Sequence, residues 1–129
     1  MSKNIAVALA IALVTFASSG SSQIVEPEMQ HYKVSELPAT HNDDGRVVRR
    51  VNAATIGLIQ VEWPAGTRTT PHNHAAELIV YLVEGRMRAF SGGQEVMLEA
   101  GDAVVFPAYV DHSYEALEDS VTVEAAGPG

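Results

Sequence analysis

The chain has 129 residues, 47% of them hydrophobic and 19% charged, with a formal net charge of −8 and no cysteine. That length fits one ordinary domain, the apolar fraction supplies a packed core, and the acidic balance, with no offsetting run of Lys or Arg, excludes nucleic acid as a partner. Without thiols, neither a disulfide framework nor a thiolate site can form, so any metal must be held by His and carboxylates.

The first 22 residues read as a leader. MSKN, with Lys3, is a short basic start, Ile5 to Ala17 is an apolar run, and Ser18-Ser19-Gly20-Ser21-Ser22 offers the small residues beside which a signal peptidase cuts, after Ser19 or Ser22. Spanning a bilayer takes about 20 apolar residues and no strongly basic stop follows, so the expectation is export, periplasmic or secreted, with no membrane insertion after processing. Processing removes Lys3 and no acid. It leaves 16 acidic side chains against 7 basic ones, a net charge of −9 with His neutral.

Residues 23–50 form an expected lead-in with an edge strand, and RVVRR, Arg46 to Arg50, reads as an exposed strand face. Residues 51–129 form the expected barrel domain. There the sequence runs through short apolar or alternating segments: ATIGLIQVEW to Trp63, ELIVYLVE from Glu77 to Glu84, RMRAF from Arg86, QEVML from Gln94, AVVF from Ala103, HSYEA from His112 and VTVEA from Val121. Gly, Pro, Ser and Asp mark the turns between them, and β-branched and aromatic residues dominate within them. None keeps an apolar repeat at helical spacing over ten or so residues. The fold class expected is all-β, a sandwich or barrel of the jelly-roll kind.

Of the five histidines, His72 and His74 flank Asn73 in an extended stretch. Alternate side chains of an extended chain share a face, so the two imidazoles can converge on one ion while Asn73 points away. Pro71 fixes the approach by restricting its own φ and holding Thr70 extended. His112 lies further on, at the mouth of another strand, and supplies a third candidate ligand. His31 and His41 fall in the lead-in and read as solvated or hydrogen-bonded side chains.

Gly66, five residues, His72-Asn73-His74 and an apolar strand to Gly85 resemble the first motif of the cupin superfamily. Gly101, five residues, Pro107 and then His112 resemble its second. The resemblance implies a double-stranded β-helix (jelly-roll) barrel, commonly a homodimer, holding a divalent transition metal (Fe, Ni, Mn, Co, Cu or Zn) through three His and a Glu. His72, His74 and His112 take the histidine roles. The family's Glu falls at position 78, which here is Leu78, and Glu77 stands one place early. A shift of one residue turns a strand side chain to the opposite face, so Glu77 is either a ligand brought round by a bulge or an exposed carboxylate near the site. Tyr109 stands where the family has Gly, and Ala116 where it has Asn.

Such a site could activate a small oxygen-rich carbonyl or enol substrate, by dioxygenation or by isomerase or lyase chemistry; the alternative is a non-catalytic cupin that binds a small ligand such as a sugar or uronate. HSYEALEDS, His112 to Ser120, resembles cupins of pectin and alginate breakdown that act on unsaturated uronates. Tyr114 has the parity of His112 and is the candidate catalytic proton donor, or else a core tyrosine with its hydroxyl at the rim. Arg68 and Arg88 are candidates for an anionic substrate, or exposed strand arginines. Trp63 beside Pro64 reads as a core or dimer-interface aromatic.

Overall fold

Glycine-marked turns divide the chain into short runs of β-branched and aromatic residues, and these become strands. The computed structural model describes residues 25–127 together with positions 14 and 20; apart from those two positions, the leader expected over residues 1–22 lies outside the described residues. The strands are β1 (Thr40–His41), β2 (Val47–Asn52), β3 (Gly57–Trp63), β4 (Leu78–Glu84), β5 (Arg86–Ser91), β6 (Gln94–Glu99), β7 (Ala103–Phe106), β8 (His112–Ala116) and β9 (Ser120–Ala126). Among the described residues, one short 3-10 turn at Val34–Glu36 is the only helical element, and no helix is long and apolar enough to cross a membrane.

Six strands form one antiparallel sheet in the order β1-β2-β3-β9-β4-β7, and β6-β5-β8 form a second. This is the all-β jelly-roll barrel expected from the sequence. β2 crosses position 50 and pairs along its whole length with β3, from Val47 opposite Glu62 to Asn52 opposite Gly57. Residues 53–56 form a turn closed by the Ala53 N–H to the Ile56 carbonyl at 2.9 Å, so the strand ending at Trp63 starts at Gly57.

Most strands turn one alternate set of side chains inward. Val61 and Trp63 of β3, Leu78, Val80 and Leu82 of β4, Met87 and Ala89 of β5, Leu98 of β6, Phe106 of β7 and Tyr114 and Ala116 of β8 make the core. Burying a side chain the size of Leu82 or Phe106 stabilises the fold by about 1.5–3 kcal/mol. Trp63 is a core residue, its indole N–H donating to the Thr122 hydroxyl at 2.9 Å. At Gly85, between β4 and β5, φ is +90° and a Cβ would press on the backbone of Asp119 and Ser120, so only glycine fits.

Candidate metal centre

The stretch between β3 and β4 carries the first two histidines and runs beside β8 without being a regular strand. It is tied there by the backbone: Gly66 N–H donates to the Ala116 carbonyl at 2.7 Å, Ala116 N–H to Thr67 at 2.9 Å, and Thr69 N–H to Tyr114 at 3.1 Å. His72 and His112 close an isolated antiparallel bridge, His72 N–H to the His112 carbonyl at 3.1 Å and the reverse bond at 2.8 Å. Asn73 points the other way and donates to the Asp111 carboxylate at 2.7 Å. The alternation read from the sequence therefore holds in space.

This bridge brings three imidazoles together. Ring centroids are 5.1 Å apart for His72 and His74, 4.5 Å for His72 and His112, and 5.3 Å for His74 and His112. One ring nitrogen from each lies within 4.8 Å of the other two, which is compact enough for a single ion. His72 Nδ1 lies 2.8 Å from the Thr70 carbonyl, which can only accept, so Nδ1 carries the proton and Nε2 is left as the donor to a metal. His112 is buried, stacked on Phe106 with centroids 4.5 Å apart and planes 13° apart, and neither of its ring nitrogens has a well-aligned hydrogen-bond partner. Burial, then the neighbouring His72, holds its pKa below the usual histidine value. A buried imidazole that is neutral and unpaired is costly, and a bound cation removes that cost, so these residues fit a divalent metal.

Glu77 does not join them. It is exposed, it lies outside the three-histidine set, and it precedes β4, whose pairing begins at Leu78 opposite Phe106 and Ala126. The register shift in β4 falls between Leu82 and Glu84, five residues beyond Glu77. Leu78 is buried and takes the inward position. Glu77 nevertheless borders the same cavity as His72 and His74.

That cavity holds about 340 Å³ and is walled by Val48, Ile59, Val61, Trp63 and Leu78, with Tyr114 and Glu124 inside it. The volume suits a small organic molecule. Tyr114 is buried, packs on Trp63 at 5.2 Å, and has no well-aligned partner for its hydroxyl. Burial, and next the Glu124 carboxyl, push its pKa well above the ordinary phenol value, so the phenol stays neutral. Glu124 is the residue that sequence reasoning missed. Burial raises its pKa to about 7, against the opposing pull of Arg50, the Tyr114 hydroxyl and Arg46. The sequence offered no signal for it, because Thr122 and Glu124 share the inward face of β9 while the apolar Val121 and Val123 look outward.

Arg68 and Arg88, the expected anion binders, lie elsewhere. Arg68 pairs with Glu115 at 2.9 Å, and Arg88 with Glu95 at 2.9 Å and Glu115 at 3.5 Å, and neither borders the cavity. Tyr109 has φ of +62° and is the one non-glycine residue with positive φ among the described residues; its N–H donates to the His74 carbonyl at 2.8 Å. The conformation that glycine would supply in the resembling motif is thus retained by a tyrosine.

Comparison with known proteins places this geometry in context. The family described as Cupin domain matches residues 59–125. The chain is 32% identical over 79 residues to Quercetin 2,3-dioxygenase of Bacillus subtilis (strain 168), an alignment that takes in 60% of this chain and 21% of that protein. This chain therefore spans about a fifth of that relative's length. The structure of KdgF from Halomonas sp. is similar with a TM-score of 0.73 and 26% identity, covering 79% of this chain and 96% of that one. Salicylate 1,2-dioxygenase from Pseudoaminobacter salicylatoxidans shares the fold, with a TM-score of 0.63 at 23% identity over 69% of this chain and 26% of that one.

Proposed function

The chain belongs to the Cupin domain family, and from that premise we propose a metal-dependent enzyme that moves a proton on a small oxygen-rich carbonyl or enol compound. The observation that carries this reading is Glu124, a buried carboxyl facing the cavity that His72 and His74 also line. His72, His74 and His112 would hold a divalent ion, which when bound supplies Lewis-acid polarisation of a substrate oxygen. Glu124, with a pKa near 7, is present in both protonation states at neutral pH and can take a proton and return it. Tyr114, kept as a neutral phenol, donates a hydrogen bond without giving up its proton. Val48, Ile59, Val61 and Leu78 form the apolar wall against which the substrate would lie beside these groups.

Elemental analysis of protein purified without a metal-affinity tag, combined with NMR detection of deuterium uptake from D2O into a panel of keto and enol compounds, tests this. Wild type and Glu77→Ala should carry stoichiometric metal and His74→Ala should lose it. Glu124→Gln should keep the metal and lose exchange by about 100-fold or more, the usual size of a general acid–base contribution. Absence of metal from wild type, or full exchange in Glu124→Gln, would rule the reading out. Binding of these compounds without turnover would support a non-catalytic cupin instead. The identity with Quercetin 2,3-dioxygenase supports a second reading, dioxygenation, for which substrate-dependent oxygen consumption is the discriminating measurement.

Export through residues 1–22 and pairing with a second copy belong to the same proposal. The leader-like composition supports the first, checked by N-terminal sequencing of the processed protein. The second is supported by an apolar outer face on β4 and β7, where Ile79, Tyr81, Val83 and Val105 are exposed.

A further inference from the structure

Val48 and Arg50 alternate along β2 and Arg46 stands just ahead of it, so the two arginines share the parity of the core residue Val48, Arg46 half-buried and Arg50 exposed. Arg46, Arg50 and Asn42 border the cavity that His72 and His74 also border. A guanidinium that borders a cavity is either held by a neighbouring carboxylate or ring, or left free for a ligand. Arg46 has such partners: it pairs with Asp44 at 2.7 Å and lies over the Trp63 ring at 5.2 Å.

Arg50 does not. Among the described residues, Lys33, Arg46, Arg49, Arg68, Arg86 and Arg88 each have a carboxylate within 4.0 Å, and Arg50 is the one basic side chain that has none. This happens in a chain with 16 acidic residues to 8 basic ones, where carboxylates are abundant. Glu124 faces the same space and feels the charge of Arg50 without forming an ion pair with it. The unpaired guanidinium borders the cavity, where a planar fork of N–H donors suits a carboxylate.

The geometry points to a carboxylate-binding subsite at Arg50, with Arg46 beside it, so that the substrate of this cavity is a small organic acid whose carbonyl or hydroxyl oxygens face the three histidines. This rests on the cavity being the substrate site proposed above. It narrows the substrate class from carbonyl compounds in general to anionic ones, and gives the exposed Arg50 of RVVRR a recognition role.

Trp63, the single tryptophan, borders the cavity, so its fluorescence reports occupancy. Titrations would use 2-oxoglutarate and pyruvate against their neutral methyl esters, with wild type, Arg50→Gln, Arg50→Lys and the control Arg49→Gln, whose side chain is on the opposite face of β2. A charge-assisted pair predicts that wild type and Arg49→Gln bind at least one acid about 10- to 100-fold more tightly than its ester. Arg50→Gln should lose that preference and Arg50→Lys retain part of it, with the melting temperature and metal content of each variant unchanged. Repeating the titration after chelation separates the two proposals: if wild type proves to carry no metal yet prefers the acid, the metal reading fails and the subsite stands. No acid-over-ester preference in wild type, or an undiminished one in Arg50→Gln, overturns the subsite.

Discussion

Glu124 shows how a strand can invert the usual reading of its residues. In VTVEA the valines look like the core face, yet Thr122 and Glu124 are the buried pair and Val121 and Val123 face outward. The three histidines were legible because their signal does not depend on which face is inward: His72 and His74 share a face whatever the sheet does, and His112 meets them. Glu124 was not, since an isolated polar residue in an alternating strand ordinarily marks the solvent side. Folding raises the Glu124 pKa from the ordinary 4.5 to about 7, so the folded chain holds this proton more tightly than the unfolded one. The stabilisation is complete below about pH 4.5 and is lost as pH rises to about 7, a swing of about 3 kcal/mol. Glu124→Gln should therefore melt higher than wild type at pH 8 and close to it at pH 5. Thermal melts of chelator-treated protein across this range check the sign, the difference between the two proteins removing the common contribution of the histidines.

At the scale of elements, the runs ELIVYLVE, RMRAF, QEVML, AVVF, HSYEA and VTVEA each correspond to a strand with boundaries shifted by a residue or less, because turn residues, glycine and proline in most cases and Asp119-Ser120 after HSYEA, mark where the runs stop. The segment through His72 and His74 was legible only as an extended chain. Its attachment to β8 depends on backbone hydrogen bonds that leave no trace in side-chain pattern. Tyr109 belongs to the same level, since the demand for positive φ comes from the turn that carries the His74 contact. A non-glycine residue in that region costs about 1–2 kcal/mol, while glycine brings back about 0.5–1 kcal/mol of unfolded-state freedom. Tyr109→Gly should then remain within about 1 kcal/mol of wild type in urea unfolding. Tyr109→Val should lose more than about 1 kcal/mol, because a β-branched side chain tolerates positive φ least. Equal stability of the two variants would show that the turn does not impose this conformation.

The whole molecule has an outer sheet surface that is unusually apolar for a chain of such acidity. Ile79 pairs with Val105 on one side and Ala125 on the other, and Tyr81 with Ala103 and Val123, so these side chains form a contiguous strip across β7, β4 and β9. Burial of that strip against a second copy would account for it. The double substitution Ile79→Lys with Tyr81→Lys should convert a dimer to a monomer in sedimentation velocity while leaving the melting transition cooperative. A monomeric wild type at micromolar concentration would dispose of the pairing. Strand order across the six-stranded sheet, by contrast, could not be read from the sequence, since β9 inserts between β3 and β4 and local pattern carries no information about such neighbours.

The three imidazoles arrive on two strips of chain, residues 66–74 and β8, joined by a short ladder of main-chain bonds at Gly66, Thr67, Thr69 and His72, by the Arg68–Glu115 pair and by the Tyr114 N–H donating to the Thr69 hydroxyl. Opening of that contact would disperse the donor set, so the site would act as a latch rather than a fixed cup. An ion that needs all three nitrogens binds only the shut form, and each decade of ion concentration above its dissociation constant keeps the latch shut by about another 1.4 kcal/mol. Metal supply would then set how often this strip opens, and the main-chain amides that face His112 and Tyr114 would exchange with solvent at a rate governed by the ion bound beside them.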